Sequence, residues 1–100
     1  MILFIFVFVV ELKPPTNINI NISGNNVTVT WTLTGESEKF TYLAFYSSGR
    51  REKDKYIRPP QSSYTITLTS CKKYRVKMQC TYPNDRRSKM VEKTFWVTSK

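Results

Sequence analysis

Histidine is missing from this 100-residue chain. Its absence removes the commonest general base and the commonest metal ligand. Two cysteines without a histidine do not make a zinc site, and a Cys or Ser nucleophile has no imidazole to activate it. The seven carboxylates lie mostly beside basic residues and form no obvious pair, and the three glycines build no phosphate-cradling loop. No catalytic residue, cofactor or metal is therefore expected, and the chain reads as a non-enzyme. With only three glycines and five prolines, low complexity is excluded as well. No ten-residue window holds a convincing helical period, which sets aside helical and α/β folds.

What is present is apolar at one end and basic at the other. Met1 to Val10 is an unbroken apolar run, MILFIFVFVV. It is shorter than the roughly 20 residues that span a bilayer as a helix. Three readings compete: an atypical or clipped signal peptide, the stub of a longer upstream segment, or a strand. A strand of ten bulky apolar residues would be buried on both faces, which a small sandwich does not accommodate. Residues 1–13 are accordingly set apart as a leader and lead-in, and 14–98 as the folded domain. Two N-x-[ST] sequons, at Asn21 and Asn26, fit a secretory chain as candidate glycosylation sites. An Asn-rich polar turn accounts for them equally well. The net charge of +9 is one-sided. Residues 1–49 hold Lys13 and Lys39 against Glu11, Glu36 and Glu38, whereas residues 50–100 hold fourteen Lys and Arg against Glu52, Asp54, Asp85 and Glu92. Such polarity attracts polyanions, anionic surfaces or acidic proteins.

From Pro14 onward the pattern alternates with a period of two. Ile18, Ile20 and Ile22 share one face; Ser23-Gly24-Asn25-Asn26 is a turn; Val27, Val29, Trp31 and Leu33 then point inward. Phe40 to Tyr46 is apolar on both faces. A charged segment, Arg50 to Arg58, ends at Pro59-Pro60, and Tyr64, Ile66 and Leu68 alternate again. Tyr74, Val76, Met78 and Cys80 face one way, with Arg75, Lys77 and Gln79 the other. A last strand runs from about Met90 to Thr98. Seven short strands with regular turn signals predict an all-β, antiparallel β-sandwich.

The order of these features resembles a fibronectin type III domain over about Pro14 to Thr98. It carries a Pro-Pro lead-in, an inward Trp31, the aromatic strand Tyr42-x-Ala44-x-Tyr46, and Leu68-x5-Tyr74-x-Val76-x-Met78. Leu68 and Tyr74 fit a tyrosine corner, in which the ring is buried while its hydroxyl bonds to backbone a few residues upstream. Departures are visible. Ser70 and Cys71 stand where a proline and a glycine are usual, and neither the Arg-Gly-Asp tripeptide nor the Trp-Ser-x-Trp-Ser signature occurs. The resemblance implies two sheets, A-B-E and C-C′-F-G. On that layout Cys71 and Cys80 sit at opposite ends of strand F, on the order of 20 Å apart. A disulfide needs Cα atoms within about 7 Å, so none is expected between them. Cys80 reads as a small core residue. Cys71 reads as exposed, beside Lys72 and Lys73 that favour its thiolate, and free or bonded to another chain.

The same layout puts nearly all cations on one sheet. Arg50, Arg51, Lys53, Lys55 and Arg58 fall on or around C′; Arg75 and Lys77 point outward from F; Arg86, Arg87 and Lys89 sit in the F–G turn. Surplus aromatics accompany them. The register of G is open: with Phe95 and Val97 inward, Lys93 must leave through a bulge, and with Trp96 inward, Phe95 is exposed. Exposed rings among cations fit a binding surface. They also fit a solvated face on which Lys and Arg stems cover rings. The leading expectation is an extracellular module, secreted or part of an ectodomain, that binds a protein partner, acidic or not, through the C-C′-F-G face. The alternatives are a glycosaminoglycan binder and an architectural spacer. Nucleic acid is set aside because a secretory start places the chain in the wrong compartment.

Overall fold

A computed structural model describes residues 12–98; the apolar run Met1 to Val10 lies outside the described residues. Two antiparallel sheets face each other. One joins β1 (Thr16–Ser23), β2 (Asn26–Thr32) and β5 (Ser63–Thr67) in the order β1-β2-β5. The other is built from β3 (Phe40–Ser47), β4 (Arg50–Ile57), β6 (Lys72–Tyr82), β7 (Arg86–Arg87) and β8 (Val91–Val97), in the order β4-β3-β6, with β7 and β8 both pairing β6. These are the two sheets, A-B-E and C-C′-F-G, that the resemblance implies. The last strand, β8, runs where the alternation predicts it; the difference is β7, a short added strand formed by Arg86 and Arg87 where the sequence predicts a turn.

The core forms where the inward residues of both sheets meet. Val27, Val29 and Trp31 of β2, with Ile66 of β5 and the adjacent Leu68, pack against Leu43 and Phe45, against Tyr74, Val76 and Met78, and against Phe95 and Val97. Ile18, Ile20 and Ile22 are only half-buried, since β1 is a sheet edge. Tyr74 stacks on Phe95 with ring centroids 5.9 Å apart. Its hydroxyl oxygen accepts the backbone N–H of Thr69 at 3.2 Å, which closes the turn into β6. The expected corner is thus present, with the hydroxyl acting as acceptor.

The open register of the last strand is settled by pairing. Tyr74 stands opposite Phe95, Val76 opposite Lys93, and Met78 opposite Val91. Phe95 and Val97 are buried and Trp96 is exposed. Lys93 nonetheless needs no bulge, because the β6–β8 ladder is unbroken. β8 is an edge strand, and a long side chain on its inner side reaches solvent past that edge. Both cysteines are free: Cys71 is exposed in the corner turn and Cys80 is buried. Burial, reinforced by the charge of Glu38, pushes the Cys80 thiol up to about 11.

Candidate binding surface

Strand pairing decides which side chains share the outer face of the larger sheet, because directly opposed residues project to the same side. From β3 the face takes Phe40, Tyr42, Ala44 and Tyr46, opposite Thr81, Gln79, Lys77 and Arg75 of β6. β8 adds Trp96 opposite Lys73, Thr94 opposite Arg75 and Glu92 opposite Lys77. β4 adds Arg51 opposite Tyr46, Asp54 opposite Ala44 and Tyr56 opposite Tyr42.

On this face cations lie over rings. Lys77 Nζ is 4.7 Å from the Tyr46 ring centre, Lys73 Nζ is 6.0 Å from Trp96, and the Arg58 guanidinium is 5.3 Å from Phe40. The rings also contact each other, Tyr42 with Tyr56 at 4.8 Å and Phe40 with Tyr56 at 5.9 Å. Tyr56 and Trp96 remain 59% and 58% exposed, so the stems of neighbouring cations do not cover them. Arg51 donates to the Tyr42 hydroxyl at 3.2 Å, and that hydroxyl donates to Asp54 at 3.2 Å. Burial raises the Tyr42 hydroxyl above its ordinary value; Arg51 works against the shift and Asp54 with it. Ion pairs Arg51–Asp54, Arg75–Glu92 and Lys72–Glu52 span 3.7, 3.5 and 3.6 Å. All three are solvent-exposed and stabilise the fold little. They set Asp54, Glu92 and Glu52 beside Arg51, Arg75 and Lys72.

A depression of about 860 Å³ opens at one end of this face. It lies between the Ser48-Gly49 turn, the start of β6 and Trp96, and is lined by Arg50, Lys72, Lys73, Arg75 and Lys77 beside Tyr46 and Glu52. The turn is tight because Ser48 and Gly49 both adopt positive φ, 55° and 75°.

Not every cation expected here belongs to the face. Lys53 and Lys55 oppose Phe45 and Leu43, so they occupy inner-side positions and escape at the sheet edge. Lys53 instead lines a smaller depression with Asn25 and Thr67, at the open side between the sheets. Arg50 opposes inward Ser47 but reaches the large depression from the turn. Arg86 and Arg87 are not in a turn: as β7 they pair with Tyr82 and Thr81, at the opposite end from the depression, with Lys89 exposed just beyond. Lys73, which the sequence associates with the corner turn near Cys71, shares the parity of Arg75 and Lys77 and joins them on the face. Asn21 and Asn26 lie exposed on the other sheet, where Asn26 accepts a 2.8 Å hydrogen bond from Thr67.

Among the described residues no cluster of three His, Cys, Asp or Glu side chains is arranged to hold a metal, and no helix is long and apolar enough to cross a membrane. By sequence, no family model and no curated protein matches the chain. By structure, it is similar to the fn3 domain of the human collagen alpha-1(XX) chain, at TM-score 0.79 and 21% identity over 94% of this chain and 92% of that one. A redesigned β-sandwich protein matches at TM-score 0.79 and 23% identity, covering 90% of this chain and 94% of that one. A two-domain fibronectin type III segment of chicken tenascin matches at 0.74 and 12%, covering 84% of this chain and 49% of that one. With its A-B-E and C-C′-F-G sheets and its tyrosine corner, the chain has the fold of a fibronectin type III domain.

Proposed function

We propose that the domain is a non-enzymatic binding module of an extracellular, adhesion-type protein, and that it engages a protein partner through the outer face of the β4-β3-β6-β8 sheet. The fold supports the first part, since fibronectin type III domains serve as modules of such proteins. The observation that carries the second is the joint exposure of Trp96 and Tyr56 among Lys73, Lys77, Arg51 and Arg58. Trp, Tyr and Arg are the residue types that concentrate binding energy at protein interfaces. A glycosaminoglycan is the second reading, favoured by the further cations Arg86, Arg87 and Lys89 at the far end.

The test is binding of a fluorescent, tetramerised domain to cells. Protein recognition predicts that trypsin treatment of the cells abolishes binding, that heparinase treatment leaves it, and that Trp96→Ala weakens it by about tenfold, as for an interface anchor. Loss on heparinase with Trp96→Ala unchanged would establish the polyanion instead. No binding by any form would leave the domain an architectural spacer. The Trp96 ring is exposed, so the variant should fold, and unchanged circular dichroism checks this.

A further inference from the structure

The depression at the Ser48-Gly49 end has a more selective chemistry than the face as a whole. Lys72 and Arg75 are paired with Glu52 and Glu92, whereas Arg50, Lys73 and Lys77 have no carboxylate partner among the described residues. Lys73 and Lys77 lie instead over Trp96 and Tyr46. A cation resting on a ring still offers its remaining N–H donors to an anion, while the ring edge beside it offers apolar surface. The two Lys–ring pairs therefore ask for a ligand that brings an anion and a flat apolar group within a few ångströms of each other. Glu52, which lines the depression, and Glu92, paired with the lining Arg75, bear on the choice of ligand. They repel a chain of unbroken negative charge but tolerate one whose charges are separated by uncharged groups.

We propose that this depression binds an acidic peptide segment of a protein partner, one in which an aromatic side chain is flanked by carboxylates. The aromatic group packs against Trp96, and the carboxylates bond to Lys73, Lys77 and Arg50. The inference rests on the protein-binding reading above and supplies the chemistry of its partner.

The test is a titration of the 15N-labelled domain, followed by backbone amide and indole N–H shifts, with four probes. These are hexapeptides of alternating glutamate and tyrosine, of alternating glutamate and serine, and of alternating glutamine and tyrosine, and a heparin-derived hexasaccharide. The glutamate–tyrosine peptide should shift the amides of Arg50, Lys73 and Lys77 and the Trp96 indole, and should bind about tenfold more tightly than either other peptide, a difference of about 1.4 kcal/mol. Trp96→Ala should reduce it to the affinity of the glutamate–serine peptide, and Lys73→Gln or Lys77→Gln should weaken both acidic peptides. The proposal is overturned if glutamate–tyrosine binds no better than glutamate–serine, if the shifts centre on Arg86 and Arg87, or if the hexasaccharide binds the same amides more tightly. Failure of the peptide while Trp96→Ala still weakens protein-dependent cell binding rejects only the ligand chemistry. Peptide binding here while Trp96→Ala leaves cell binding intact rejects only the broader reading.

Discussion

At the residue scale the two cysteines carry opposite consequences. Cys71 holds a left-handed backbone, φ 60°, while its N–H donates to the Val97 carbonyl at 2.6 Å. A residue with a Cβ loses about 1–2 kcal/mol in that region relative to glycine, the residue usual in related corners. Cys71→Gly should therefore stabilise the domain by about 1 kcal/mol, the gain being trimmed by the greater freedom of glycine in the unfolded chain. Urea unfolding under reducing conditions measures it, and a lower midpoint would contradict the strain. Cys80 is only 1% exposed, and its thiol titrates near 11 rather than at its ordinary 9.0. A raised value means that the folded chain keeps a proton the unfolded chain has lost. The resulting stability is complete below about pH 9 and declines as pH rises toward 11. Tyr42 and Tyr82, whose hydroxyls are also raised, contribute in the same sense. The Cys80 share is isolated by comparison with Cys80→Ala. The stability gap between the two proteins should narrow from pH 8 to pH 11, and a constant gap would show that the thiol titrates alike in both states.

At the element scale the break between β7 and β8 is held by one serine. Ser88 is 4% exposed; its Oγ accepts the Cys80 N–H at 3.0 Å and donates to the Lys89 carbonyl at 2.9 Å. Its backbone N–H bonds to the Cys80 carbonyl at 2.9 Å, and its own carbonyl takes the Gln79 side chain at 2.8 Å. Ser88→Ala leaves the buried Cys80 N–H without that acceptor, and should cost about 1–3 kcal/mol. Ser88→Thr, which keeps the hydroxyl, should lose less; equal loss in both would point to packing instead. No sequence signal marks this serine, because its importance lies in which backbone group it meets. Much else was legible. The parity of Val27, Val29 and Trp31, and of Tyr74, Val76 and Met78, identified core strands, since one face of each is buried and a shift of one residue would expose the whole set. Parity failed where a bulge intervenes. Phe45 opposes Lys53 and Tyr46 opposes Arg51, so Glu52 is left over. That extra residue turns Lys53 and Lys55 away from the face that holds Arg51, and brings Asp54 and Tyr56 onto it. In the last strand adjacent Phe95 and Trp96 are equally apolar, and only pairing with β6 decides which is buried.

At the scale of the whole molecule two groups of cations stand at opposite ends of the larger sheet. Arg50, Lys73 and Lys77 surround the depression at one end, and Arg86, Arg87 and Lys89 lie about β7 at the other. The smaller sheet between Thr16 and Thr32, and along β5, carries no charge, so the field of the molecule points one way. A net charge of +9 will by itself hold the protein on any anionic resin. Retention on heparin thus says little until compared with a simple sulfonate exchanger. If the domain recognises a protein, it should elute from the two resins at similar salt, since both then read only exposed charge, which salt screens. Removing either pair of cations, as Arg86→Ala/Arg87→Ala or as Lys73→Ala/Lys77→Ala, should lower that salt by a similar amount. The two double variants should part company only on cells, where loss of Lys73 and Lys77 weakens binding and loss of Arg86 and Arg87 does not. A glycosaminoglycan site spread over both groups predicts a different pattern: elution from heparin well above the sulfonate resin, and an equal loss of cell binding from either pair. The separation between the two groups of cations is what turns an unspecific property, excess positive charge, into a comparison that tells the two partners apart.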